Sequence, residues 1–197
     1  MLTLAPVTLA TDRLTLRPLS LEDVPALGLA ASDGAQWEKT TTTVPRPEGF
    51  QAYVETALRN QAAGTQLPFA TVLNEGLRVV GSTRFMNIDA PNRRLEIGTT
   101  WIAGSFQRSF VNTHAKYLML CHAFEDLGCI AVEFRTHVRN AQSRAAIERL
   151  GARLDGILRS HMIMPDGHIR DTAVYSITAD EWPAAKAGLE RAMARPS

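Results

Sequence analysis

The sequence has little of what would mark a secreted, membrane-spanning or metal-bound protein. Two cysteines in 197 residues, Cys121 and Cys129, are too few for a disulfide scaffold, so free thiols in a reducing compartment are expected. No apolar run approaches the ~20 residues of a membrane helix. The opening MLTLAPVTLATDRL has neither the basic n-region nor the continuous apolar h-region of a signal peptide, and a cytoplasmic location with no membrane partner is expected. Charge of one sign is missing too. The net charge of +1 gives no broad footprint for nucleic acid. No His/Cys cluster has metal-ligand spacing, so no metal is expected. Internal repeats, low-complexity tracts and long linkers are absent.

What is present is an ordinary globular composition, 45% hydrophobic and 21% charged, of a length that suits one domain over 1–197. RLTLRPL alternates like a half-buried strand, and SLEDVPALGLAA follows as a helix with Ser20 as candidate N-cap. The polar SDGAQWEKTTTTVPRP is a loop, and Pro47 opens a helix in which Phe50, Tyr53, Val54, Ala57 and Leu58 keep helical spacing. LPFATVLNEGLRVVGSTRFMNI is a hairpin turning at Asn74-Glu75-Gly76, and RRLEIGTTWI is the next strand. After the glycine-containing loop in WIAGSFQRSFVNTHAKYLML comes an apolar, buried helix that ends at Gly128. IAVEFRTHV is a strand, NAQSRAAIERLG a short helix capped by Asn140, and the MPDGH turn splits the last two strands. ADEWPAAKAGLERAM closes the chain as a helix. The order β-α-α-β-β-β-α-β-α-β-β-α implies a mixed sheet flanked by helices, an α+β (mixed α/β) class.

That order, the strand ending EIGTTW, the loop QRSFVN at a helix start and NAQSRAAIERLGA together resemble the GNAT superfamily of N-acyltransferases. Within it the chain is most similar to the ribosomal-protein N-acetyltransferase branch (RimJ/RimL-like). The resemblance runs from TDRLTLRPLSLEDV to DTAVYSITADEWP. It implies a twisted central sheet splayed between the fourth and fifth strands, with acetyl-CoA as cosubstrate in the gap. It places the pyrophosphate on Gln107, Arg108, Ser109, Phe110, Val111, Asn112 and Thr113. Two of these depart from the family: Phe110 replaces a glycine and Asn112 a small residue. Backbone N–H groups and a helix N-terminus can hold pyrophosphate whatever the side chain, provided Phe110 avoids φ > 0.

Acyl transfer to an amine needs a neutral nucleophile, a donor for the oxyanion and a proton for the leaving thiolate. Period-two alternation puts Leu95, Ile97 and Thr99 on one face and Glu96, Gly98 and Thr100 on the other. Glu96 thereby becomes the candidate base; the alternative is a carboxylate merely paired with an arginine such as Arg84. By resemblance, backbone groups of Thr99, Thr100 and Trp101 polarise the thioester, Asn140 binds the pantetheine amide and Ser143 is the acid. Ile147 stands where many relatives carry a tyrosine acid. Trp37, Glu38, Arg84, His161 and Tyr175 are the expected acceptor walls. The expected acceptor is a small amine, a peptide or a protein N-terminus, and a homodimer through the last hairpin or helix is implied. Transfer of a larger acyl group such as succinyl, and a non-catalytic CoA-binding module, remain as alternatives.

Overall fold

The computed structural model describes residues 4–38, 44–164 and 166–194; residues 39–43 of the polar loop and Pro165 of the last turn therefore lie outside the described residues. An eight-stranded sheet of order β1-β2-β3-β4-β5-β6-β8-β7 runs through the molecule. Its strands are β1 (Leu9–Ala10), β2 (Leu14–Pro18), β3 (Leu67–Leu73), β4 (Val79–Asp89), β5 (Arg94–Ile102), β6 (Ala131–His137), β7 (Arg153–Ile163) and β8 (Ile169–Thr178). All neighbours pair antiparallel except β5 and β6, which are parallel. The mixed sheet is as expected. β1 is an additional strand: two residues are too short to show any alternation.

The helices are α1 (Val24–Ser32), α2 (Phe50–Ala62), α3 (Phe110–Cys121), α4 (Ala141–Glu148) and α5 (Trp182–Met193). α2 is entered through a 3-10 turn at Pro47–Gly49. α3 stops earlier than its apolar stripe suggests, passing at Cys121 into a π-turn over His122–Asp126. Gly128 then takes φ +64, the left-handed conformation that ends a helix without a Cβ penalty.

Two cores lie on opposite faces of the sheet. On one, α3 and α5 cover Leu14, Leu16, Phe69, Phe85, Leu95, Ile97, Val132 and Phe134. On the other, α1 and α2 cover Ala70, Val72 and Trp101. The first core contains a charge-bearing side chain. Lys116 of α3, 6% exposed, donates to Thr100 Oγ1 (2.7 Å) and reaches Thr83 Oγ1 (3.5 Å). It lies three and four residues before the buried Met119 and Leu120, so helical spacing alone puts it on the inward stripe.

Burial pushes the Lys116 amine down from its ordinary 10.5 to about 7. Because the folded value is the lower one, the amine costs stability increasingly as pH falls from 10.5 to 7, and the full cost stands below 7. Lys116→Met should raise the melting temperature, more at pH 6 than at pH 10, recovering up to about 5 kcal/mol at pH 6. Equal shifts at the two pH values, followed by circular dichroism, would contradict a buried cation.

Candidate active site

β5 and β6 share three rungs, Arg94–Ala131, Leu95–Val132 and Glu96–Glu133. Beyond them β5 continues to Ile102 and β6 to His137 with no further rung among the described residues, so the sheet opens into a gap. The last rung sets two carboxylates side by side, an unfavourable pairing unless cations intervene. Arg135 bridges them, its Nε 3.4 Å from Glu96 Oε2 and its Nη2 2.9 Å from Glu133 Oε2. Arg94 adds a 2.6 Å contact to Glu133.

Their surroundings drive the two carboxyls apart. Burial raises the Glu96 pKa above the ordinary value, and the hydrogen bond from Asn87 and the charge of Arg135 only partly oppose it. At Glu133 burial also pushes upward, but hydrogen bonds from Arg135 and Arg94 outweigh it and the pKa falls. Glu96 is 5% exposed, and Asn87 Nδ2 donates to its Oε2 at 2.6 Å. It faces the α1/α2 side, away from Leu95 and Ile97, as alternation predicts. A buried carboxylate with a raised pKa at the mouth of a gap is suited to take a proton.

A bulge follows. Ser82 of β4 lies opposite Trp101 and Arg84 opposite Gly98, so Thr83 alone faces both Thr99 and Thr100. Thr99 carries the irregularity at φ +47, a strained conformation for a β-branched residue. The inserted residue corrects the simple alternation. Thr100 turns to the α3 face, where its hydroxyl meets Thr83 (2.7 Å) and Lys116, while Thr99 Oγ1 lies 3.6 Å from Met86 Sδ. Trp101 turns to the α1/α2 core, donating to Tyr53 Oη at 3.3 Å. Bulges leave ladder groups unpaired, which suits this stretch for donating N–H groups to an oxyanion.

At the far end of β5 the chain enters α3. Gln107 Nε2 donates to Ile102 O (3.0 Å) and to Gln36 Oε1 (2.7 Å), tying this loop to the end of α1. Ser109 is the N-cap, accepting from Val111 N–H at 3.3 Å and donating to Phe106 O at 2.6 Å. The left-handed residue is Arg108 (φ +59), and Phe110 is the first helical residue. Phe110 turns sideways. The Arg13 guanidinium lies 3.7 Å above its ring, and His114 meets it edge-on at 5.2 Å. Asn112 and Thr113 complete the first turn, whose N–H groups have no intrahelical acceptors. An anion fits here: the backbone does not need glycine at Phe110, and two arginines flank the turn.

The other side of the gap ends in α4. Asn140 Oδ1 caps it by accepting from Ser143 N–H at 3.0 Å, and Ile147 is core.

A model of the Acetyltransferase (GNAT) domain matches residues 13–153. The chain belongs to the GNAT acetyltransferase family. It is an N-acetyltransferase by relationship, 30% identical over 179 residues (89% of this chain, 96% of the relative) to a Bacillus subtilis protein provisionally named ribosomal N-acetyltransferase YdaF. A GCN5-related N-acetyltransferase from Brucella melitensis superposes with TM-score 0.88 at 29% identity, covering 98% of this chain and 87% of that one. Mycobacterium smegmatis RimJ, solved with CoA-disulfide, superposes with TM-score 0.79 at 24% identity over 95% of each chain.

In this acetyltransferase the expected acceptor residues part company. Arg84 shares the Glu96 face but pairs with Gln66 rather than with Glu96, whose cation is Arg135. Trp37 packs against the α1/α2 core with Arg46 5.7 Å above its ring, and Glu38 is exposed beside it. His161 sits on the exposed edge strand β7, its Nδ1 3.1 Å from Thr172 Oγ1, beside an open hollow of ≈ 720 Å³ lined by β7 itself. Tyr175 is fully buried on the opposite face, donating to Glu148 Oε1 and accepting from Arg144 Nε, both at 2.8 Å. Its register opposite Phe134, not its place on a hairpin, decides that. Both cysteines are free, and burial pushes Cys129 up to about 11 and Cys121 upward as well, so neither is poised as a thiolate. Asn87, Gln66 and Arg135 carry no local signal in the sequence, because only strand pairing brings them to Glu96 and Arg84.

Gly98 leaves room for the Glu96 carboxylate. A Cβ there would stand 2.6 Å from Met86 Sδ and 2.8 Å from Glu96 Oε1, both ends of flexible side chains. Gly98→Ala should therefore fold but displace Glu96, lowering the rate of thiol release about 10- to 100-fold with little change in melting temperature. An unchanged rate would mean that the position of this carboxylate is immaterial.

Proposed function

We propose that the protein transfers an acetyl group from acetyl-CoA to a primary amine by direct attack within a ternary complex. The observation that carries this reading is Glu96, a buried carboxylate with a raised pKa on the last rung before β5 and β6 part. A CoA-bound neighbour of the same fold supports the choice of cosubstrate. CoA would be held by the N-terminus of α3 from Gln107 to Thr113, with Arg108 and Arg13 beside the phosphates and Asn140 near the pantetheine. It supplies the acyl group as a thioester.

The chain's own residues then divide the work. Glu96 takes the proton of the attacking amine, and backbone N–H groups of the bulge at Thr99, Thr100 and Trp101 stabilise the oxyanion. The C–N bond forms first, the C–S bond breaks as the oxyanion collapses, and Ser143 or a water returns a proton to sulfur. About a tenth of an α-amine is already neutral at pH 7, so there the base chiefly takes the proton that the nitrogen must lose on attack; for lysine it must also free the amine, and matters more still. The relationship to ribosomal-protein acetyltransferases supports a protein N-terminus or peptide as acceptor.

A second copy is the partner we assign to β7. This outer strand is 11 residues long and exposes Leu154, Ile157, Leu158, Met162 and, at 78%, Ile163, with Ile169 of β8 beside it. A long apolar edge is a hazard unless another chain covers it.

Three outcomes are expected. Glu96→Gln should lower kcat about 10²- to 10⁴-fold while calorimetry finds micromolar acetyl-CoA binding in both forms. Because Glu96 acts when deprotonated and its pKa is raised, kcat/KM should rise with pH through a value above the usual carboxylate range. That limb should vanish in Glu96→Gln; its persistence removes Glu96 as the base, and no binding of acetyl-CoA, CoA or succinyl-CoA removes the whole reading. Light scattering should give twice the 21.6 kDa chain mass, and Ile163→Asp should halve it; a monomeric parent overturns the dimer.

A further inference from the structure

Beside the proposed base lies a second charged group that the transfer reaction leaves without work. Arg84 is 5% exposed and on the Glu96 face. Its Nη1 donates to Gln66 Oε1 at 2.9 Å, but Nε and Nη2 have no acceptor among the described residues. The guanidinium lies 4.9 Å from the Tyr53 ring, a contact that offers no hydrogen-bond acceptor to those N–H groups. Arginine stays protonated, and a buried cation without an anion is costly. Two parallel N–H groups on one edge of a guanidinium are the geometry that a carboxylate fills with two oxygens.

The way in is visible. A cleft of ≈ 360 Å³ is lined by Asn60, Gly64, Thr65, Gln66, Asn87 and Ile88. Two of these carboxamides each screen a buried charge. Gln66 stands before Arg84, and Asn87 before Glu96. Arg84 lies opposite Gly98, two residues along β5 from Glu96, and such diagonal neighbours are about 7–8 Å apart, somewhat less at Cβ. The cleft is thus uncharged at its rim, with a cation behind one amide and an anion behind the other.

We propose that this cleft selects an amine that also carries a carboxylate within a few bonds, Arg84 receiving the carboxylate in place of Gln66 while the amine meets Glu96. The inference rests on the acetyl-transfer reading for the role of Glu96. The carboxylate has two sources, the α-carboxylate of a free amino acid or the side chain of an acidic residue at a peptide N-terminus.

Matched acceptors separate them. Thiol release is measured with Glu-Ala-Phe-amide against Gln-Ala-Phe-amide, and with phenylalanine against phenylalaninamide. The carboxylate-bearing member of one pair should have at least a tenfold higher kcat/KM, and the responding pair identifies the source. Arg84→Gln should bring that ratio close to one. Gln66→Glu, which tethers a carboxylate against Arg84, should also erase the ratio while raising the melting temperature, and it decides the matter if Arg84→Gln fails to fold. Ratios near one in the parent protein, or a ratio that survives both substitutions, overturn the proposal. If no amine releases thiol, the transfer reading fails on its own. The same pairs are then compared by calorimetry without acyl donor, where tighter binding of the acid that Gln66→Glu abolishes supports the inference and equal binding overturns it.

Discussion

Two glutamates stand abreast on the last rung between β5 and β6, and Arg135 makes that possible. Without a cation between them, the rung would be a point of repulsion at the place where the two strands begin to diverge. With Arg135 inserted and Arg94 securing Glu133, one carboxylate is kept ionised and the other is left to the desolvation that raises its pKa. The same few ångströms therefore end the pairing, open the gap and tune the group beside it. Structure and chemistry share one origin here, a crowded rung resolved asymmetrically.

The bulge just beyond solves a geometric problem. A strand that alternated strictly would put Trp101 into the α3 core and Thr100 with Glu96. The inserted residue at Thr99 reverses both, so Trp101 completes the α1/α2 core with Phe50 while Thr100 joins Thr83 and Lys116 beneath the sheet. The cost is a β-branched residue at positive φ. Packing on both faces holds it there.

Much of this was legible in the sequence. Local periodicity is enough to read off the strands, the helices, their order and the outward turn of Glu96, because each depends on residues a few positions apart. Asn140 as a cap is local as well. What escaped is what depends on a partner strand. Thr100 changes face because Thr83 opposes two residues, and Tyr175 is turned inward by its register with Phe134. Gln66 and Asn87 stand in unremarkable polar surroundings in the sequence, and only the pairing of β4 with β3 and β5 reveals that each covers a charge. Phe110 shows the converse. Where the family pattern carries a glycine, this side chain lies against Arg13, and the left-handed residue of the loop is its neighbour Arg108.

Three rungs are few to join the β1–β5 half of the sheet to the β6–β8 half, and a single apolar core under α3 and α5, built from residues of both halves, is what else holds them together. The protein thus leaves one seam of its own sheet unstitched. Anything that lies in that seam binds the folded chain and not the unfolded one, adding about 2.7 kcal/mol at a hundredfold excess over its dissociation constant. By that linkage an occupant lowers the unfolded fraction about a hundredfold, and with it the chain's exposure to any protease that cuts only the unfolded form.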